Sequence, residues 1–204
     1  MCACRPEGPK CLDGDTFAEV NLQVIVLNGG SSSGKSSLAT CLQQQLDGTW
    51  LTLGIDDLIR AMSHGPTDRT VAGSMEFGPD GSIAVDEKFR KAEASWYEGL
   101  AAIARTGTGV IVDEVFLDGG ESQARLRAAL DGLDVLWVGV RCDPGVAEGR
   151  ELQRPDRVRG MAKHQAKRVH EGVSYDIEVE TSHVSSAECA REIVASTKHT
   201  ERAP

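Results

Sequence analysis

The sequence predicts an α/β fold: a parallel sheet flanked by helices on both faces, carrying a phosphate-binding loop and completed by a helical lid. Three observations predict it. Short apolar runs rich in β-branched residues alternate with stretches of helical periodicity. The first run ends in a glycine- and serine-rich turn with a lysine, and a basic stretch at about 150–170 interrupts an otherwise acidic chain.

Taken in order, residues 1–20 hold proline, glycine and acidic residues without periodicity and read as a mobile leader. The folded domain is expected over 21–198, followed by a short tail at 199–204. Val24-Ile25-Val26-Leu27 reads as a strand buried on both faces, and Leu38, Cys41, Leu42 and Leu46 mark the helix after the turn. Trp50-Leu51-Thr52-Leu53-Gly54-Ile55 is a second strand, leading into a short helix that runs to Met62 behind an aspartate cap. From 63 to 86 the pattern breaks into glycines and prolines, with a Pro79-Asp80-Gly81 turn, which predicts a loop or hairpin excursion. Phe89, Ala92, Trp96, Leu100 and Ile103 then mark a long amphipathic helix, and Gly109-Val110-Ile111-Val112-Asp113 a third buried strand. A helix at 121–130, a strand at Val135-Leu136-Trp137-Val138-Gly139-Val140, a basic helical stretch at 150–168, a strand at Ile177-Glu178-Val179-Glu180 and a helix at 187–195 complete the alternation.

The chain has 204 residues, 40% of them hydrophobic, without a break in composition, so a single domain must hold every ligand. A net charge of −9 argues against a nucleic-acid or anionic-membrane partner, both of which it would repel. No apolar run approaches the ~20 residues of a membrane span, and the N-terminus lacks the apolar core of a signal peptide, so a cytoplasmic protein is expected. The six cysteines then read as reduced thiols, with Cys41, Cys142 and Cys189 as small core residues; Cys2, Cys4 and Cys11 cluster without a fourth ligand. A small molecule is the expected partner, and a homo-oligomer stays open.

Gly29-Gly30-Ser31-Ser32-Ser33-Gly34-Lys35-Ser36 fits G-x-x-x-x-G-K-[ST] in full and lies between a strand and a helix, as its mechanism requires. Small residues let successive N–H groups wind around a phosphate at the positive end of the helix, where Ser37 follows. Lys35 is expected to bridge the β- and γ-phosphates of ATP, and Ser36 to offer its hydroxyl to Mg²⁺. Asp113 ends the third strand, where a carboxylate supports that ion, and Glu114 follows it as a metal, substrate or turn residue. Asp56, at the carboxyl end of the second strand, is placed to take a proton from a substrate hydroxyl, while Asp57 beside it can cap the helix. Arg154 and Arg157 stand out in the basic stretch as lid residues able to stabilise a transferring phosphoryl group, with its other cations, Arg150 included, solvated. Met62, Met75, Phe77, Trp96 and Phe116 are candidates for an apolar acceptor pocket, Phe116 foremost because it follows Asp113. The five histidines share no spacing and are assigned no chemistry.

These residues resemble the chloramphenicol phosphotransferase family from about Val24 to Thr197. The likeness is carried by Leu27-Asn28-Gly29-Gly30-Ser31-Ser32, Gly34-Lys35-Ser36, Gly54-Ile55-Asp56, Asp113 with Val115-Phe116-Leu117, the run from Leu133 to Asp143, Val146-Ala147-Glu148-Gly149-Arg150-Glu151 and Val169-His170-Glu171-Gly172-Val173. It implies a P-loop kinase fold and transfer of the γ-phosphate of ATP to a hydroxyl of an antibiotic, classically the primary hydroxyl of chloramphenicol. Residue by residue, it implies Asp56 as general base, Arg154 and Arg157 as lid arginines, and Lys35 and Ser36 as nucleotide ligands. Glu114 departs from the family's second aspartate, residues 63–74 differ, and a relative acts on hygromycin A, so the acceptor stays open. Two rivals remain. A nucleotide-dependent switch lacks an N-K-x-D signature here, and a metabolic kinase for an anionic acceptor would need basic side chains, of which the Met- and Phe-containing stretches near Asp56 and Asp113 offer few.

Overall fold

Five strands, β1 (Val24–Asn28), β2 (Trp50–Gly54), β5 (Gly109–Glu114), β6 (Val135–Arg141) and β7 (Ile177–Glu180), form one all-parallel sheet in the order β2-β5-β1-β6-β7. They belong to a computed structural model that describes residues 22–65, 70–78, 82–153 and 160–197. The expected leader and tail, and the lid residues Arg154 and Arg157, lie outside the described residues. Strand β1 is buried along its whole length, as its unbroken apolar run requires.

Helices cover both faces. On one side Val24, Val26, Val110 and Val112 pack with Tyr97, Leu100 and Ala104 of α3 (Glu87–Arg105) and Leu126 of α4 (Gly120–Ala129). On the other, Ile25, Leu27, Ile111, Val138 and Val140 meet Leu38 and Leu42 of α1 (Lys35–Gln45) and Cys189, Ala190 and Ile193 of α7 (Ser186–Thr197). Strand alternation explains this partition, since successive side chains point to opposite faces. Of the cysteines expected in the core, Cys189 is fully buried, but Cys41 and Cys142 are only half-buried.

The irregular stretch after α2 (Ile55–Met62) contains a hairpin of β3 (Met75–Phe77) and β4 (Ile83–Val85). A small third core of Leu58, Val71, Met75 and Phe89 seats it against α2 and α3. The basic stretch is not one helix. α5 (Pro144–Leu152) and α6 (Met161–Arg168) flank residues 154–159, and buried Glu151 ties them together by accepting from the N–H groups of Gly160 and Ala162, both at 2.8 Å. Among the described residues, no helix is long and apolar enough to cross a membrane.

Because β5 lies on one side of β1 and β6 on the other, the sheet's strand order reverses at β1. In open α/β sheets the crevice beyond the carboxyl ends of strands at such a point takes the ligand. The turn that leaves β1 is the 29–36 loop.

Candidate active site

The loop wraps tightly because its small residues permit it. Gly34 adopts φ +93° and Ser32 φ +59°, both left-handed, and a Cβ on Gly29 would lie 2.6 Å from the Val140 carbonyl oxygen. Helix α1 starts at Lys35 without a side-chain cap, so its first N–H groups face the loop's concavity. The hydroxyls of Ser31, Ser32 and Ser33 are buried without a hydrogen-bond partner. Unpaired donors gathered at a helix N-terminus fit phosphate oxygens.

Lys35 is buried, and its Nζ donates to the carbonyls of Gly29 (2.8 Å) and Gly30 (3.0 Å) while standing 3.7 Å from Asp113 Oδ1. Ser36 Oγ donates to Asp113 Oδ2 at 2.8 Å. The β1–β5 register, which sets Leu27 beside Asp113, makes this pairing possible. Among the described residues, no group of three or more His, Cys, Asp or Glu side chains could hold a metal ion by itself. A hydroxyl and a carboxylate already joined beside a phosphate loop nevertheless suit Mg²⁺, which is commonly held by one or two protein groups together with substrate phosphates.

A cavity of about 1070 Å³ opens from this corner, lined by the loop from Ser31 to Ser37 and by Asp56, Phe77, Asp113 and Glu114. Asp56 is exposed on the first turn of α2. The capping duty falls to Asp57, whose Oδ2 accepts from Gly54 N at 2.9 Å and whose Oδ1 accepts from Arg60 at 2.7 Å. Gly54 is tightly held, since a Cβ there would lie 2.4 Å from the Asp113 carbonyl oxygen, and this sets the start of α2 against the end of β5.

Three pocket candidates, Phe116, Met62 and Trp96, do not line the cavity. Phe116, just beyond the end of β5, is completely buried in the α3/α4-side core, its ring 6.5 Å from that of Trp137. Met62 is half-buried against the third core. The candidates Met75 and Phe77 do line it, and Ile83 and Phe89 complete the apolar wall. The cavity is also less poor in basic groups than the sequence suggested, for Arg60 and Arg90 border it, each already paired with carboxylates.

Glu114 is almost fully buried. Its Oε2 accepts from Val115 N at 3.3 Å, and its Oε1 has no partner. Burial pushes its carboxyl up to about 8, with the nearby charge of Glu93 adding to the rise and the Val115 N–H opposing it. In the unfolded chain the group titrates near 4.5, so between there and about 8 the folded state binds more protons and stability falls as pH rises. Glu114→Gln removes that loss. Its melting temperature relative to the wild type should be higher above pH 8 than at pH 5, and thermal unfolding across pH checks this.

Several residues at the site carried no usable signal in the sequence. Gln165 of α6 is buried on the cavity wall, its Oε1 accepting from Ser31 N at 2.8 Å. Asn28 donates to the Val169 carbonyl (2.7 Å) and the Tyr175 hydroxyl (2.6 Å) and accepts from Phe116 N (3.0 Å), so it locks the loop's base to two other segments. His170 belongs to this cluster through the Tyr175 hydroxyl at 2.6 Å, and burial pulls its pKa down to about 4. Arg150 is not solvated. It reaches the Thr181 carbonyl at 2.6 Å and, with Ser32, Gly34, Ser37 and the 181–186 turn, lines a second, smaller pocket on the loop's outer side. Lys163 and Lys167 are exposed, as expected of a solvated face.

The sheet order, the phosphate loop and the Ser36–Asp113 pair define the class: a P-loop kinase fold. Solved structures agree. The chain is similar to the Mycobacterium tuberculosis APS kinase in complex with AMPPNP and APS, with a TM-score of 0.55 at 17% identity over 85% of this chain and 96% of that one. It is similar to the Deinococcus radiodurans tunicamycin resistance protein, with a TM-score of 0.58 at 17% identity over 86% and 95%. The sequence profile of the chloramphenicol phosphotransferase-like proteins matches residues 22–198, and the chain belongs to that family. A Mycobacterium tuberculosis relative with a provisional O-phosphotransferase name is 31% identical over 181 residues, 84% of this chain and 80% of its own. The chain is thus a phosphotransferase of the kinase type.

Proposed function

We propose that this enzyme transfers the γ-phosphate of ATP to a hydroxyl of a small antibiotic, with the primary hydroxyl of chloramphenicol as the leading acceptor. The observation that carries the reading is the cavity itself, lined by the phosphate loop with Lys35, Ser36 and Asp113 and also by Asp56, beside which Asp57 caps α2. The similarity to a tunicamycin resistance protein supports an antibiotic as the kind of molecule modified.

In this mechanism the loop N–H groups and the serine hydroxyls bind the β- and γ-phosphates, and Lys35 turns from the Gly29 and Gly30 carbonyls towards them. Ser36, with Asp113 behind it, would hold Mg²⁺, which supplies charge neutralisation of the phosphates. The nucleoside extends over the loop into the outer pocket beside Arg150 and Thr181. Asp56 accepts the proton of the acceptor hydroxyl as its oxygen attacks the γ-phosphorus in line and the bond to the β-phosphate bridging oxygen breaks. Arg154 and Arg157 are assigned by sequence to the charge on the transferring group. ATP supply places this activity in the cytoplasm.

The test is a mass-spectrometric screen in which the enzyme and MgATP are incubated with hydroxylated antibiotics, chloramphenicol and hygromycin A among them. A phosphate added to one of them is the expected result. ATP hydrolysis at the same rate with and without every acceptor, and no modified product, would favour a nucleotide-dependent switch and overturn the reading.

A further inference from the structure

On the α3/α4 side of the cavity, four charged side chains close into one network. Arg90 donates to both oxygens of Glu93 (2.9 and 3.1 Å) and to Asp118 Oδ2 (2.5 Å). Arg125 donates through Nε to Glu93 Oε2 and through an amino group to Asp118 Oδ2, both at 3.0 Å. Two guanidiniums face two carboxylates, so the network carries no net charge, and each member is held by at least two bonds. Such side chains are positioned before any ligand arrives, and they lose little freedom on binding one.

Arg90, Glu93 and Ser122 of this wall border the cavity together with Glu114. Glu114 stands apart from them in one respect: its Oε1 is buried and unpartnered on a cavity-lining side chain that is only 1% exposed. A buried oxygen without a partner is destabilising in the free protein. A ligand hydroxyl, which can pair with it whether the carboxyl is protonated or ionised, recovers that cost, and a ligand without the hydroxyl does not. The loop and Asp56 engage the reacting hydroxyl and the phosphates, so Oε1 is left for a different group of the same molecule. Across the cavity, Ile55, Ile59, Met75, Phe77, Ile83 and Phe89 present only hydrocarbon or aromatic surface.

We infer that Glu114, backed by the Arg90–Glu93 pair, is a specificity-determining subsite for a second hydroxyl of the acceptor. The molecule phosphorylated then carries at least two hydroxyl groups on one side and an apolar body on the other. An anionic acceptor is disfavoured on this wall, because Arg60 and Arg90, the arginines that border the cavity among the described residues, are already paired with carboxylates. This inference rests on the antibiotic-kinase reading above and adds what the acceptor must present besides the reacting hydroxyl.

The experiment is a cycle of two enzymes and two acceptors: wild type and Glu114→Ala, each assayed with MgATP on chloramphenicol and on its analogue lacking the secondary hydroxyl. The wild type should lose ~10-fold or more in kcat/KM on the deoxy analogue, the usual penalty for leaving a buried polar group unpaired. Glu114→Ala should lose a similar factor on chloramphenicol and treat the two acceptors alike. Glu114→Gln, which keeps a polar group able to pair with a hydroxyl in place, should restore discrimination, a result that mere disturbance of the fold cannot produce. If Glu114→Ala or, where that variant does not fold, Glu114→Gln and Glu114→Leu discriminate equally and as well as the wild type, the subsite is wrong while the kinase reading stands. If the wild type phosphorylates neither acceptor, the chloramphenicol reading fails and this inference falls with it.

Discussion

Asp56→Asn should lower acceptor phosphorylation by about 10³-fold, within the range that a positioned general base contributes. The substitution keeps size and hydrogen bonding and removes only the basic oxygen. Its effect is interpretable because the structure separates two duties. Asp57 closes the N-terminus of α2 through Gly54 N, so replacing Asp56 leaves the cap in place, and Asp56 lies exposed on the cavity rather than in a core. The melting temperature and the nucleotide dissociation constant should therefore match the wild type, the first by scanning calorimetry and the second by titration calorimetry. A variant that turns over chloramphenicol or any other accepted antibiotic at a near-normal rate would remove Asp56 from the base role.

Lys35→Ala should cost ~10²–10³-fold in kcat/KM, as removal of one preorganised group aimed at developing charge commonly does. It should also weaken ATP binding, unlike Asp56→Asn, because the ammonium meets the phosphates in ground and transition states alike. In the free protein Lys35 binds the loop's own carbonyls at 2.8 and 3.0 Å, so it is poised at the phosphate site before the nucleotide enters. Lys35→Arg should not rescue activity. The buried position, 6% exposed, fits a compact ammonium and not a planar fork. Steady-state kinetics in both substrates separate the two effects, and a Lys35→Ala enzyme with unchanged ATP affinity would contradict the assignment.

The contrast between these two residues shows what was legible in the sequence. The strand–loop–helix pattern, the phosphate loop and the alternation of strands and helices were readable because each rests on local chemistry: small residues for a tight turn, β-branched runs for buried strands, and 3.6-residue periodicity for helices. The neighbourly position of the β5 strand, and with it Asp113 beside Lys35 and Ser36, also followed, since parallel strands in such sheets bring their carboxyl ends to one edge. That Asp57 could cap α2 was readable as an option, and its bond from Gly54 N bears it out.

Other features depended on contacts between residues far apart in the chain. Phe116 and Glu114 differ by two positions, yet one is sealed in the core and the other reaches the cavity, a distinction made by where α3 and α4 pack. Glu93, in sequence a polar residue on an amphipathic helix, is buried because Arg90 on its own helix and Arg125 on the next close around it. Gln165 meets Ser31 across 134 residues, and Asn28 meets Tyr175 across 147. Local patterning carries no information about such pairs. By itself the sequence determined the fold, the phosphate loop and the family. Only the tertiary structure decided which polar side chains line the acceptor cavity and which of their atoms lack a partner, because burial and hydrogen bonding are properties of packed neighbours and not of sequence spacing.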